Sequence, residues 1–335
     1  MESGPPGERG AGRGDTLDTQ GAGRGDLPDA RGAGRGDTLD AQGAGLGVTF
    51  GTQGAGLGAD CFLCPARGIF RKLNITPLVG DEVDFDIDPI RPGYGSVEKI
   101  HARRSELSRP PVANVDQLLI VLTLSIPAPD FLLADKLIIS ALSNGIEPAI
   151  CFNKSDLAPV GEFIREEDGY LHAGFTTLRV SHIDDASIRT LEQALRGKVT
   201  ILAGQSGVGK STLFNNILEA RKMPIGDMSR RIGRGRHTTR HVELTRLKTG
   251  GWLVDSPGFS LFETAVENYR ELDRFYPEFK PYAGLCKFRE CSHTHEPGCA
   301  ILDALREGSL HPGRHARYAE LYAAYKAADS RRYAK

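Results

Sequence analysis

No stretch of about 18 consecutive apolar residues occurs anywhere in this 335-residue chain, so no transmembrane helix is expected. The N-terminus has no apolar core of the secretory kind, which excludes an export signal as the reading of residues 1–30. Net charge is nearly absent too: 42 Lys and Arg face 43 Asp and Glu, so nothing global points to nucleic acid. Cysteine is scarce, with six in the whole chain, too few and too unevenly placed for a secreted disulfide framework. A cytoplasmic monomer with no membrane contact is the expectation.

What is abundant is glycine, and much of it is at the front. Gly10-Ala-Gly-Arg-Gly-Asp recurs from Gly21 and Gly32 with a period of 11 and decays from Gly43 and Gly54. Glycine at every second position leaves almost nothing to bury, so residues 1–58 are expected to be a disordered, solvated spacer. From residue 59 to 110 short β-branched or alternating stretches (Cys61–Arg71, Leu78–Ile87, Gly95–Ile100) are punctuated by Pro and Gly. Their size and rhythm fit an oligonucleotide-binding (OB-type) barrel.

Residues 111–262 alternate between apolar strands and helices. Strands are expected at 117–124, 148–152, 176–180, 199–203, 242–247 and 252–255, and helices at 131–143, 187–195 and 210–219. That alternation predicts a mostly parallel sheet covered on both faces.

The chemistry centres on Gly204-Gln205-Ser206-Gly207-Val208-Gly209-Lys210-Ser211-Thr212, which follows a β-branched run and opens an apolar-periodic helix. This is the phosphate-binding G-x-x-x-x-G-K-[ST] pattern in its strand–loop–helix context. Its glycines allow close backbone approach, its N–H groups and helix N-terminus suit phosphate, Lys210 reaches the β- and γ-phosphates, and Ser211 ligates Mg²⁺. Asn153-Lys154-Ser155-Asp156 matches N-K-x-D. A carboxylate there can accept from both donors on the guanine edge, which adenine lacks, so the pair selects GTP. Ser181, followed by His182, is placed to form a second guanine loop. Asp255-Ser-Pro-Gly258 matches D-x-x-G, with Asp255 toward Mg²⁺. The basic stretch between Arg221 and His241 contains His237, Thr238 and Thr239, and either threonine qualifies as a further Mg²⁺ ligand.

The order of these parts is inverted. N-K-x-D begins at 153, the phosphate loop at 204, and D-x-x-G comes last at 255, so the GTPase is circularly permuted. Phe259 stands where many GTPases place a water-positioning glutamine, and His237 is the nearest polar substitute as a catalytic residue. Its other reading is an RNA-docking residue among arginines.

Residues 263–335 turn helical and carry Cys286, Cys291, His293 and Cys299. Three thiolates and one imidazole suffice for tetrahedral Zn²⁺, and four protein ligands leave no open position, so the ion would be structural. Reduced free cysteines, or His295 in place of His293, are the alternatives.

Together these features resemble the ribosome-small-subunit-dependent GTPase A family (RsgA, YjeQ, EngC). The matching stretches include Val79-Gly-Asp81, Ala113–Gln117, Asn144–Pro148, NKSD, GQSGVGKS, GRHTTR, DSPGF and EPGCA, spread over residues 62–330. The resemblance implies an N-terminal OB barrel, a permuted GTPase domain and a C-terminal zinc module. It also implies GTP hydrolysis in late maturation of the small ribosomal subunit, with rRNA contacts and stimulation by the subunit. The alternative is an RNA-binding module for which GTP is a conformational ligand and hydrolysis is incidental. Two features depart from the family: the glycine repeats replace or obscure the first barrel strands, and His182 stands where alanine is frequent.

Overall fold

The computed structural model describes residues 31–39, 47–52, 61–157, 164–219, 242–255 and 268–333. All of them fall within one compact unit, Arg31–Lys335.

The first sheet has five strands: β1 (Arg31–Leu39), β2 (Gly47–Thr52), β3 (Cys61–Pro65), β4 (Glu82–Ile87) and β5 (Gly95–Ile100), with helix α1 (Gly68–Lys72) between β3 and β4. Their order is β3-β2-β1-β4-β5, every neighbouring pair antiparallel. Parallel bridges Leu63–Tyr94 and Ala66–Val97 bring β3 alongside β5 and close the ring. A five-stranded barrel with this order and a helix after its third strand is the OB topology. Its interior holds Cys64, Phe70, Val83, Phe85 and Val97. Val83 and Phe85 alternate inward along β4, as the pleat requires. Gly95 is obligatory here, because a Cβ would lie 2.6 Å from the Asp86 carbonyl oxygen.

Within the stretch expected as a spacer, residues 31–39 and 47–52 form the strands β1 and β2, and the rest of it lies outside the described residues. In a glycine-rich strand each residue still keeps its backbone donor and acceptor. Neighbours β3 and β4 supply partners for them. The stretch Cys61–Arg71, read as short β-type pieces, holds one strand, β3, and then the start of the helix α1.

A short hairpin, β6 (Glu106–Ser108) and β7 (Pro111–Ala113), leads into the second sheet. That sheet contains β8 (Gln117–Thr123), β9 (Glu147–Asn153), β10 (Thr176–Val180), β11 (Val199–Ala203), β12 (Glu243–Arg246) and β13 (Trp252–Asp255). The order is β10-β9-β8-β11-β13-β12, parallel throughout except for the edge strand β12. All seven residues of β8 are buried, as a central strand covered on both faces demands. Helices α2 (Phe131–Ser143), α3 (Ile164–His172), α4 (Asp185–Leu195) and α5 (Lys210–Glu219) flank it. Asp130 and Asp184 cap α2 and α4 by accepting from Leu133 N–H (2.8 Å) and Ala186 N–H (3.0 Å). Helix α3 is an addition to the sequence reading.

Two 3-10 segments, Tyr269–Phe275 and Pro277–Tyr282, precede α6 (Ala300–Arg306) and the 22-residue α7 (Pro312–Tyr333). Tyr276, Phe279 and Tyr318 form their core, with ring centroids 5.0–5.3 Å apart. No helix of the described residues is long and apolar enough to cross a membrane.

Candidate nucleotide site and metal centre

The carboxyl ends of β9, β10, β11 and β13 carry Asn153, Ser181, Gly204 and Asp255 respectively, so one rim of the parallel sheet gathers all four sequence motifs. That rim is where open α/β sheets bind ligands. Because β11 and β13 run parallel with Ile201 opposite Val254, Asp255 comes level with Leu202, two residues before the phosphate loop.

Close approach explains the glycines of that loop. A Cβ on Gly204 (φ +136°) would lie 2.2 Å from the Val121 carbonyl oxygen of β8. A Cβ on Gly209 (φ +94°) would lie 2.5 Å from Asn153 Nδ2. Gly207 needs its freedom for its backbone angle alone (φ +82°), since its nearest neighbour would be Pro127 Cδ at 3.5 Å. Val208 is buried beneath the loop, while Ser206, Ser211 and Thr212 are exposed on it and on the first turn of α5. Lys210 Nζ donates back to the carbonyls of Gly204 (2.7 Å) and Gln205 (2.8 Å). Burial pushes its pKa down from the usual lysine value.

Residues 153–156 are fastened directly to this loop. Asn153 Nδ2 donates to the Val208 carbonyl at 2.9 Å. Lys154, at φ +57°, sends Nζ across to the carbonyls of Gly207 (3.0 Å) and Ile126 (2.9 Å). Thus two side chains of one motif hold the backbone of the other. Asp156 follows Ser155 in a single 3-10 turn and faces β10, where Ser181 Oγ donates to its Oδ1 at 2.5 Å. That hydroxyl holds the Asp156 carboxyl below the ordinary aspartate range. The contacts of Lys154 with Ile126 and of Ser181 with Asp156 are not legible from motif spacing. They follow from the parallel pairing of β8, β9 and β10, which sets the three loops side by side.

His237, Thr238, Thr239, Gly258 and Phe259 lie outside the described residues.

Cys286, Cys291, His293 and Cys299 bring one ligand atom each to a common point, all within 4.8 Å of one another. His293 Nδ1 lies 3.5 Å from both the Cys286 and Cys299 sulfurs, which are 3.9 Å apart. His293 takes a left-handed backbone (φ +58°) to reach in, and its Nε2 faces Asp273 Oδ2 at 3.9 Å. A carboxylate behind a ligating imidazole is the usual orienting arrangement. His295 is not part of the cluster; its Nδ1 is paired with Thr294 Oγ1 at 2.8 Å. The loop is secured around Glu296, whose carboxylate accepts from Ser292 Oγ and from the backbone N–H groups of Ser292 (2.8 Å), Thr294 and His295 (3.2 Å each). Burial acts to raise the Glu296 pKa, but these donors outweigh it and hold the carboxyl at about 2. The Cys₃His donor set fits a tetrahedral metal ion.

An inverted strand order with phosphate and N-K-x-D loops on one rim defines a circularly permuted P-loop GTPase. Comparison with known proteins agrees. Residues 100–265 match the RsgA GTPase family model and residues 58–94 match the RsgA N-terminal domain. The small ribosomal subunit biogenesis GTPase RsgA of Ruminiclostridium cellulolyticum is 45% identical over 80% of this chain and 87% of its own length. Its namesake from Alkaliphilus metalliredigens is 40% identical over 82% and 93%. Among solved structures, YjeQ from Thermotoga maritima superposes with a TM-score of 0.72 at 29% identity, covering 88% of this chain and 98% of that one. YloQ, described as a circularly permuted GTPase, gives 0.73 at 31%, covering 90% and 98%. The chain belongs to the RsgA GTPase family.

Proposed function

We propose that this protein hydrolyses GTP as a late assembly factor of the small ribosomal subunit, in the cytoplasm and as a monomer. In this reading it divides near residues 110 and 262 into barrel, GTPase and metal-binding portions. The observation that carries the guanine assignment is the fastening of Asn153 and Lys154 to the phosphate loop, with Asp156 held by Ser181. It fixes the distance between base and phosphates before nucleotide arrives, so a purine lacking guanine's donors would leave the carboxylate unpaired.

The phosphates would lie against the backbone of residues 204–209 and the N-terminus of α5. On nucleotide binding, Lys210 Nζ would exchange the Gly204 and Gln205 carbonyls for phosphate oxygens. Ser211, Asp255 and one of Thr238 and Thr239 are the residues to hold Mg²⁺, which would neutralise charge on the β- and γ-phosphates. The Cys286, Cys291, His293 and Cys299 cluster would hold one structural Zn²⁺. RNA contacts fall to the barrel and the metal-binding portion.

The apolar Phe259 supports slow intrinsic turnover that awaits a partner, and equally supports the second reading, in which GTP is only a conformational ligand. One measurement separates them: GTP turnover with and without purified small subunits, with ATP as control. Stimulation specific to GTP supports the assembly role; no turnover in either state would sink it. His237→Ala then assigns the basic loop. A catalytic His237 predicts lost stimulated turnover at saturating subunits, whereas a docking role predicts turnover restored at saturation.

A further inference from the structure

The loop between the first two metal ligands, Lys287-Phe288-Arg289-Glu290, is exposed at every position. Its ends are Cys286 and Cys291, so a bound ion would clamp the loop at both sides. The backbone at its start is held as well: Lys287 N–H donates to the Gly298 carbonyl at 2.9 Å, one residue before the third thiolate. Gly298 (φ +71°) lets Lys287 lie close, since a Cβ there would be 3.1 Å from Lys287 Cβ.

A phenylalanine on such a loop cannot retreat into a core. Phe288 is 45% exposed and its neighbour Leu285 is 67% exposed. Single exposed apolar residues are ordinary on any surface. This one is distinguished by its flanks: Lys287 Nζ stands 5.7 Å from the Phe288 ring centroid, and Arg289 follows directly. Glu290, the one acid of the loop, is countered by Arg270 at 3.2 Å. The tip therefore carries an aromatic ring between two cations, neither of which has an ion pair among the described residues.

We propose that Phe288 is a stacking platform for an unpaired RNA base, with Lys287 and Arg289 contacting the phosphates on either side. This rests on the assembly-factor reading above and names the chemistry of one RNA contact. Single-stranded RNA fits better than a protein partner because every base offers a π-face to an aromatic ring. Successive phosphates also match a cation–aromatic–cation spacing. Duplex RNA hides its base faces and would gain only the cations.

The test uses the metal-loaded full chain and a labelled, mixed-sequence single-stranded RNA of about 12 nucleotides, within the span of such sites. By anisotropy, Phe288→Ala should weaken binding about 10- to 100-fold, the range one base–aromatic stack supplies. Phe288→Trp should retain affinity, and its added emission, beside that of the single native Trp252, should be quenched on RNA binding. Lys287→Ala and Arg289→Ala should each flatten the salt dependence by about 0.7 in slope, whereas Phe288→Ala should leave the slope unchanged. Metal content and basal GTP turnover should not move in any variant. Unchanged single-strand affinity of Phe288→Ala would overturn the proposal, as would an equal loss on duplex RNA. Weakened small-subunit binding with intact RNA affinity would also overturn it, and would assign the face to a ribosomal protein. The RNA titration needs no nucleotide, so a failure of the hydrolase reading would appear separately, as absent turnover.

Discussion

Arg314 of α7 donates through Nη1 to Asp135 Oδ1 of α2 at 2.5 Å, and neither side chain reaches solvent. Asp135 also accepts from Arg317 Nε (2.6 Å) and from the Tyr170 hydroxyl (2.9 Å). Arg314 Nε pairs with Glu278 at 2.8 Å, and Arg317 Nη1 with Glu166 at 2.8 Å. The Arg314 guanidinium lies 4.6 Å from the Tyr276 ring centroid. Burial acts to lower the Arg314 pKa, but the Asp135 and Glu278 carboxylates more than reverse this, so it stays charged. This network joins α7 to α2 and α3, which precede and follow the N-K-x-D loop in the chain.

Removing one member of a buried ion cluster strands the others without water, at about 3–5 kcal/mol. Asp135→Ala should therefore destabilise the chain more than Arg314→Met: it takes a partner from Arg314, Arg317 and Tyr170 together, whereas Arg314→Met takes one from Glu278 and one from Asp135, which keeps Arg317 and Tyr170. Urea denaturation of the two variants checks the order. Equal midpoints with the wild type would show that the cluster is not coupled to folding.

The phosphate loop predicts a second ranking. Gly207→Ala meets no atom closer than 3.5 Å and should cost only the left-handed backbone term, about 1–2 kcal/mol. Gly204→Ala places its Cβ 2.2 Å from the Val121 carbonyl oxygen, so strand β8 or the loop must move. Calorimetry should find Gly204→Ala the less stable of the two and without GTP affinity, while Gly207→Ala still folds.

Much of this site was legible because phosphate and guanine chemistry demand fixed residue types at fixed spacing, and the strands before Asn153, Gly204 and Asp255 are short, apolar and sharply bounded. The ion network was not. Its one sequence signal is Asp135, a lone acid inside the apolar run Phe131–Ser143 and opposed by arginines about 180 residues away. Helix α3 escaped notice because Ile164–His172 is polar and contains Gly169, whose missing side chain lets His311 pack where a Cβ would stand 2.7 Å from its ring. Strands β1 and β2 escaped because their pairing uses backbone groups, and composition reports only side chains.

Metal removal supplies a third prediction. Structural zinc sites contribute about 10–16 kcal/mol in small peptides, and here Tyr318 OH and His315 Nε2 tie α7 to the cluster through the Ser292 (2.9 Å) and His293 (2.8 Å) carbonyls. Chelation, or Cys286→Ser, should open residues 284–299 to proteolysis and make the remaining thiols reactive. The GTPase portion should still bind nucleotide, because the hydrogen bonds that hold Asn153, Lys154, Asp156 and Lys210 go to none of these residues. Protease resistance unchanged after verified metal loss would refute a structural ion.

The last prediction concerns Asp156 and pH. The Ser181 hydroxyl holds its carboxyl below the ordinary aspartate value, and a depressed pKa means that the ionised form persists to lower pH. Guanine recognition needs that ionised form, so its contribution is complete above the ordinary aspartate range and is lost only as pH falls through the lowered value. Ser181→Ala removes the donor, so its loss of GDP affinity on acidification should begin at higher pH than in the wild type, with affinity at neutral pH reduced less. Asp156→Asn removes the acceptor outright. It should weaken GTP sharply at every pH and relax the exclusion of xanthosine triphosphate, whose edge offers an acceptor to the new amide. Titration of nucleotide affinity from neutral pH down through and below the ordinary aspartate range, for the three proteins, reads both effects. Identical acid limbs for the wild type and Ser181→Ala would show that the hydroxyl leaves the carboxyl untouched. Unchanged discrimination in Asp156→Asn would remove Asp156 from the base site.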